Sequence, residues 1–230
     1  MKKFLIAAML LLVSEGLCAQ EDVTKFLGIP VDGPKSKMIR SLKSKGFRST
    51  DMNNVLKGQF NGYKVDMHVV TNNNKVWRLM VADAYGVDES DIKIRFNNLC
   101  QQFANNPNYI SFVEDQTIPD DEDVSYEMAA HKKRYEAVFC QKISATDSLV
   151  ALYDLKRFVT TKYSRAWEDI FPEQWEEVKS APDFIQYAKE RFDQLYNKIV
   201  WFMIFEESDN KYKINMYYDN AYNRAQGEDL

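Results

Sequence analysis

VLKGQFNGYKVDMHVVTNNNKVWRLMVAD, residues 55–83, carries the pattern on which the fold turns. Asn61-Gly62 accepts positive φ at both positions, which suits the right-handed twist of two strands joined by a two-residue turn. That turn sets a register. Phe60 opposes Tyr63, Gly58 opposes Val65 and Leu56 opposes Met67 on one side of the sheet, while Lys57 opposes Asp66 on the other. A second turn within Thr71-Asn72-Asn73-Asn74 leads to Val76–Val81, which is apolar on both faces as an interior strand is. His68 shares the polar face of Lys57 and Asp66, where a polar strand position outweighs a metal ligand or a base.

Upstream, Gly33-Pro34 opens a helix with Met38, Ile39 and Leu42 on one face, and Gly46 closes it before Phe47. Downstream, Ile92, Phe96, Leu99 and Phe103 recur at helical spacing across Asp88–Ala104, and Asn105-Asn106-Pro107 ends the run. Residues Tyr109–Val113 read as extended. Val124, Tyr126 and Met128, then Tyr135, Ala137 and Phe139, alternate as two strands around the basic turn His131–Arg134. Helical patterns follow from Asp147 to Asn197. Ile199–Phe205 and Tyr212–Tyr218 close the chain as a hairpin across Ser208-Asp209-Asn210. Asn74-Lys75-Val76-Trp77 and Asn197–Trp201 echo one another, a faint sign of a duplicated unit. The expected fold is α+β, an antiparallel sheet with helices packed on one face. Residues 20–105 form its first part and 106–230 its second, as one composite domain or two small ones.

The first nineteen residues have a different character. Met1-Lys2-Lys3 is basic, Phe4–Val13 is apolar and Leu17-Cys18-Ala19 ends on a small residue, the three-part layout of an export signal. The apolar run is half of the roughly 20 residues that a bilayer requires of a helix. Cleavage after Ala19 is expected, delivering the protein to the periplasm or the exterior. A lipid-anchored cysteine at Cys18 is the rival expectation, but Glu15-Gly16-Leu17 match the small-residue pattern before such a cysteine poorly. The full chain has 30 basic and 34 acidic residues; removing Lys2, Lys3 and Glu15 leaves 28 and 33, a net charge of −5. That balance argues against a nucleic-acid partner, which needs a basic stripe. Cys100 and Cys140 remain after cleavage, and whether they form a disulfide is left open by their apolar neighbours and oxidising destination.

Two stretches resemble a known group. Phe26-Leu27-Gly28-Ile29-Pro30-Val31-Asp32-Gly33, with Lys45-Gly46-Phe47 and the Asn-Gly hairpin, is similar to the beginning of functionally uncharacterised exported bacterial proteins of the Bacteroides type. Tyr217–Asn220 through Asn223-Arg224 to Leu230 looks like their end. That resemblance implies export and supplies no site residues. The helix-plus-meander layout also resembles, more distantly, the units of β-lactamase-inhibitor-like proteins, which implies action by binding other proteins; layout alone does not fix function.

Reaction chemistry is hard to assemble from these residues. His68 and His131 are the only histidines, and neither stands at the spacing a zinc site needs. No cofactor or metal motif is present. The acidic run Asp120–Asp123 lacks the glycine and alternation of a calcium loop. No Gly-x-Ser-x-Gly and no phosphate loop occurs. The densest special feature is the amide and aromatic cluster Tyr212, Tyr217, Tyr218, Asn220, Tyr222 and Asn223, which could hold a protein partner or a sugar ring. The expected function is a non-catalytic interaction module acting on another envelope protein or a glycan. Its rival is a hydrolase of envelope sugars or peptides working through a carboxylate pair.

Overall fold

The computed structural model describes residues 23–50, 55–111, 113, 115–142, 197–208 and 210–224. The expected leader, the helical patterns between Asp147 and Tyr196 and the last six residues lie outside the described residues. A small antiparallel hairpin, β1 (Lys25–Phe26) and β2 (Ile29–Pro30), precedes helix α1 (Lys35–Ser44). Strands β3 (Arg48–Ser49), β4 (Leu56–Phe60), β5 (Tyr63–Asn72) and β6 (Lys75–Asp83) follow. Then come α2 (Glu89–Ala104), β7 (Tyr109–Ser111), α3 (Val124–His131), β8 (Glu136–Gln141), β9 (Ile199–Ser208) and β10 (Lys211–Asp219), with a 3-10 turn over Ala221–Asn223. Strands β3 to β10 form one eight-stranded antiparallel sheet in the order β3-β4-β5-β6-β10-β9-β8-β7.

The turn chemistry explains the first half. Asn61 and Gly62 adopt φ of 50° and 81°, and the register is the one their turn dictates, Phe60 with Tyr63 through Leu56 with Met67. Asn73 and Asn74 repeat the device at φ of 47° and 62° between β5 and β6. Asparagine tolerates this left-handed region because its short side chain can bond locally. α1 starts after Pro34, and Gly46 at φ 98° turns the chain toward β3. α2 is capped by Asp88, whose carboxylate accepts the Asp91 N–H at 3.1 Å. The cap holds the Asp88 carboxyl below its usual range.

Alternation then builds the core on one face. Val65, Met67 and Val69 of β5, Leu79 and Val81 of β6, Ile214 and Met216 of β10, and Phe202 and Ile204 of β9 all point to the helices and are buried. Met38 and Leu42 of α1 and Ile92, Phe96, Leu99 and Phe103 of α2 belong to the same buried cluster, so both helices pack on that face. The two halves meet at β6 and β10, where Met80 pairs with Tyr217 and Leu79 with Tyr218. Asp83, 6% exposed at the end of β6, accepts two hydrogen bonds at 2.6 Å from Arg95 of α2, itself 4% exposed. The same carboxylate accepts the Ile214 N–H of β10 at 3.1 Å. One buried pair thus ties β6, β10 and α2 together, and the Tyr63 ring covers the guanidinium at 3.5 Å.

Two expectations are corrected. Val124, Tyr126 and Met128 are not a strand but lie in α3, where the Asp123 side chain accepts the Tyr126 N–H at 2.8 Å as an N-cap. Positions 124 and 128 are also one helical turn apart, so their alternation never distinguished the two periods. His131 is the last residue of that helix, 2.9 Å from Glu127 one turn earlier, and Lys132 at φ 55° ends it. The sequence echo also falls on strands that do not correspond. The topology itself repeats, a helix followed by four strands whose last members meet at the seam, which matches β6 with β10; the echo opens β6 and β9.

Candidate functional site

Strand alternation separates the amide and aromatic cluster of the C-terminus. Tyr212 and Tyr218 point into the core at 1% and 3% exposure, whereas Tyr217 lies on the opposite face of the sheet. The Tyr212 hydroxyl donates to Ser125 Oγ at 2.9 Å. Asn220 is fully buried; its amide donates to the Val31 carbonyl at 2.8 Å and its oxygen accepts the Tyr222 N–H at 3.1 Å. Asn223 donates to Asp32 at 2.6 Å and to the Val76 carbonyl at 2.8 Å. These two amides pin the chain end to the start of α1 and β6, and Tyr222 is the exposed member. The six residues therefore do not form one surface.

Tyr217 belongs to a second cluster, on the sheet face opposite α1 and α2. Its ring stacks on Trp201 of β9 at 4.1 Å, and the Arg78 guanidinium lies 4.8 Å from the Tyr217 ring and 4.4 Å from Trp77. Arg78 donates twice to Asp219 at 2.6 Å, and Trp201 Nε1 donates to the same carboxylate at 3.1 Å. Every charge in this cluster is met by another member, which marks a cross-strand fastener more than an open site.

The cysteines are separate too. Both thiols are free and buried. Cys100 sits in the core on α2; Cys140 alternates with the core residue Phe139 and so faces the other side of the sheet. The disulfide left open by the sequence is not made, because the sheet stands between them. Burial, reinforced by the charge of Asp115, pushes the Cys100 thiol up to about 12, and burial pushes Cys140 up to about 11. The acidic residues around 115–123 have local partners as well. Asp115 bonds Thr117, Asp123 caps α3, and Glu122 accepts from Lys133 and Tyr135, which holds its carboxyl below the usual range.

The cleft lies elsewhere, between the halves on the helix side, with a volume of about 750 Å³. Its walls are the β1–β2 turn (Leu27, Gly28), the β4–β5 turn (Gln59, Phe60, Asn61), the end of α2 (Gln102, Phe103) and the β7 and β8 ends; Tyr218 lies at its floor. An adjoining groove of about 580 Å³ shares Gln102, Asn106 and Asn108 and continues along Asn98 and Gln101 of α2 and its C-cap Asn105. The main cleft is lined by six side-chain amides and by Lys25, Lys142 and Lys198; its described lining holds no carboxylate, histidine, cysteine, serine or threonine.

Gln141 organises one wall. Its oxygen accepts the Lys25 N–H at 2.7 Å, and its amide donates to the Lys25 carbonyl at 2.6 Å and to the Tyr109 hydroxyl at 2.9 Å. It thereby reads the Lys25 backbone as a neighbouring strand would and fastens the β1–β2 hairpin beside the cleft. Burial pushes the Tyr109 phenol up, partly offset by its bonds with Gln141 and Tyr218. Across the mouth Asn61 donates to Gln102 at 2.6 Å. Leu27 stands at the rim, 45% exposed and at φ 49°, in the left-handed region that costs an ordinary side chain roughly 1–2 kcal/mol.

Sequence reasoning did not find this cleft, although it flagged Tyr218. Its amides come from separate turns and helix ends, and only the exposed leucine next to Gly28 was a local sign. Among the described residues, no helix is long and apolar enough to cross a membrane. No family model, no curated protein and no solved structure matches this chain.

Proposed function

We propose that the protein is an exported, non-catalytic interaction module that engages a partner through the cleft between the two halves of its sheet. The observation that carries this reading is the makeup of the described lining, rich in amides and lysines and without an acid–base pair. Hydrolysis through carboxylates needs two acids flanking one bond, about 5–9.5 Å apart, and among the described residues the lining supplies none. Recognition, in contrast, needs directional donors and acceptors around an apolar floor. Amides provide both, while Leu27, Phe60 and Phe103 provide the apolar surface. Export rests on the leader-like first nineteen residues, and the acidic overall balance suits a soluble envelope protein.

A photo-cross-linking amino acid at Gln59 or Asn108, both on exposed rims, tests the reading in cells of the host. Adducts that form from these two positions and not from Lys43 on α1 are the expected result. Hydrolytic activity of the purified chain on envelope glycans or peptides, lost on replacing a single carboxylate, would overturn it.

A further inference from the structure

We infer that the exposed stripe of α2 from the Tyr63 ring to Asn105 binds a neutral, β-linked oligosaccharide. The inference rests on the binding reading above, since the groove beside α2 adjoins the cleft, and it adds the chemical class of the ligand. Along α2 and just past its end the amides come in pairs four residues apart, Asn97-Asn98, Gln101-Gln102 and Asn105-Asn106. One member of each pair is engaged within the protein. Asn97 donates to the Ile118 carbonyl at 2.8 Å and accepts the Ile118 N–H at 2.7 Å, Gln102 accepts from Asn61 at 2.6 Å, and Asn106 accepts the Asn108 N–H at 3.0 Å. The other members, Asn98, Gln101 and Asn105, are exposed, and among the described residues their side chains have no hydrogen-bond partner. Spacings of three and four residues bring these three onto one stripe of the helix.

An aromatic ring heads that stripe. Tyr63, at the start of β5, lies over the Arg95 guanidinium at 3.5 Å and is still 41% exposed. Arg95 stands one turn before Asn98, and Asn61 of the same hairpin reaches Gln102 one turn after it, so the β4–β5 hairpin runs beside the stripe. The guanidinium is fixed in turn by two hydrogen bonds to Asp83, which holds the ring in place before a ligand arrives and removes part of the ordering cost of binding. Ring and amides together select the ligand. A hydroxyl donates and accepts as an amide does, without charge. A pyranose with equatorial substituents presents a flat face of C–H bonds that rests on an open aromatic ring. The rings of the cleft are closed to such a contact, since Phe103 stacks on Phe139 at 5.0 Å and Tyr218 is buried against Phe26. From Arg95 to Asn105 the helix rises roughly 15 Å at about 1.5 Å per residue, room for more than one sugar unit in line, and a β-1,4 linkage keeps such a chain straight.

The test is fluorescence anisotropy on the purified full-length chain with four labelled probes: cellohexaose and chitohexaose, both β-linked and the second N-acetylated, α-linked maltohexaose, and a peptide alternating Gln and Leu. Binding of at least one β-linked probe, at least tenfold tighter than maltohexaose and the peptide, is expected, and added salt should leave it unchanged because the ligand has no charge to screen. Tyr63→Leu, which keeps an apolar cover on Arg95 and removes the ring, should weaken that probe at least tenfold, while Tyr63→Phe should hold it within about threefold. Tyr222→Leu, at a tyrosine of similar exposure near the chain end, should leave it unchanged. Asn98→Ala and Asn105→Ala, exposed changes that leave charge untouched, should each weaken it severalfold. Full binding by Tyr63→Leu, or an equal loss in Tyr222→Leu, would overturn the place given to the ring, and full binding by both alanine variants would overturn the role of the amides. A steep loss with salt would overturn the neutral ligand. Tighter binding of the peptide than of either β-linked probe would overturn the sugar class. Failure of both β-linked probes on folded protein would overturn this inference, and the binding reading would then stand or fall on the in-cell cross-links from Gln59 and Asn108.

Discussion

The two halves of the sheet reach the same arrangement by different means. From β3 to β6 each strand follows its predecessor, and two of the turns are paired left-handed residues, Asn61-Gly62 and Asn73-Asn74. From β7 to β10 the strands again lie in chain order, but α3 stands between β7 and β8, and residues 142–198 separate β8 from β9. Local turn chemistry is enough to set register in the first half. In the second, only β9 and β10 form a local hairpin, and the β8–β9 register is set across that long separation, Ala137 with Phe202 and Phe139 with Val200. The seam between β6 and β10 makes one core of them, and the cleft opens where their loops and helix ends meet on the helix side.

The largest expected effect tests that seam. Arg95→Ala leaves the Asp83 carboxylate buried without its partner, a loss of about 3–5 kcal/mol. Lys57→Ala, which removes an ion pair of 3.5 Å within the first half whose lysine side chain is 60% exposed, should cost less than about 1 kcal/mol. Urea unfolding of both variants measures the contrast. If the two losses were alike, the buried pair would not be what joins the halves.

Core truncations sharpen it next. Met67→Ala in the first half and Phe202→Ala in the second should each cost about 2–5 kcal/mol. If one core spans both halves, far-ultraviolet circular dichroism and tryptophan fluorescence should report coincident transitions in both variants. Separate transitions would mean that each meander unfolds alone.

Legibility followed the same division. Asn61-Gly62 predicted four cross-strand pairs, all of them present, because two φ angles determine a hairpin, and α2 was visible in the spacing of Ile92, Phe96, Leu99 and Phe103. α3 was missed because Val124 and Met128 satisfy both periods; Asp123 as its cap was the available signal. The C-terminal cluster dissolved for a simple reason. Consecutive residues on a strand face opposite ways, so Tyr217 and Tyr218 could not share a surface. The cleft was not legible because its amides become neighbours only after both halves join, and no single segment shows them together.

Leu27 gives a smaller effect of opposite sign. Leu27→Asn, better suited to φ 49°, should raise stability by about 1 kcal/mol or less while lowering the cross-link yield from Gln59 and Asn108. A variant that gains stability and keeps the full cross-link yield would show that the leucine has no part in the cleft. The smallest effect concerns the cysteines on opposite sides of the second half. With thiols held up to about 12 and about 11, Cys100 and Cys140 stay neutral near pH 8, where only thiolate reacts with iodoacetamide. Both should be labelled only as the protein unfolds and at one common rate. Labelling of one well before the other would reveal a local opening that the shared core does not predict.

Hydrogen exchange read by mass spectrometry tests the joining of the halves most directly. Peptides covering 76–83 and 212–218 should be the slowest to exchange in the molecule and should do so together, because β6 and β10 open only when the whole sheet does. Fast exchange in either stretch, or exchange in β10 that leaves β6 protected, would contradict a continuous sheet and with it the cleft that the two halves form.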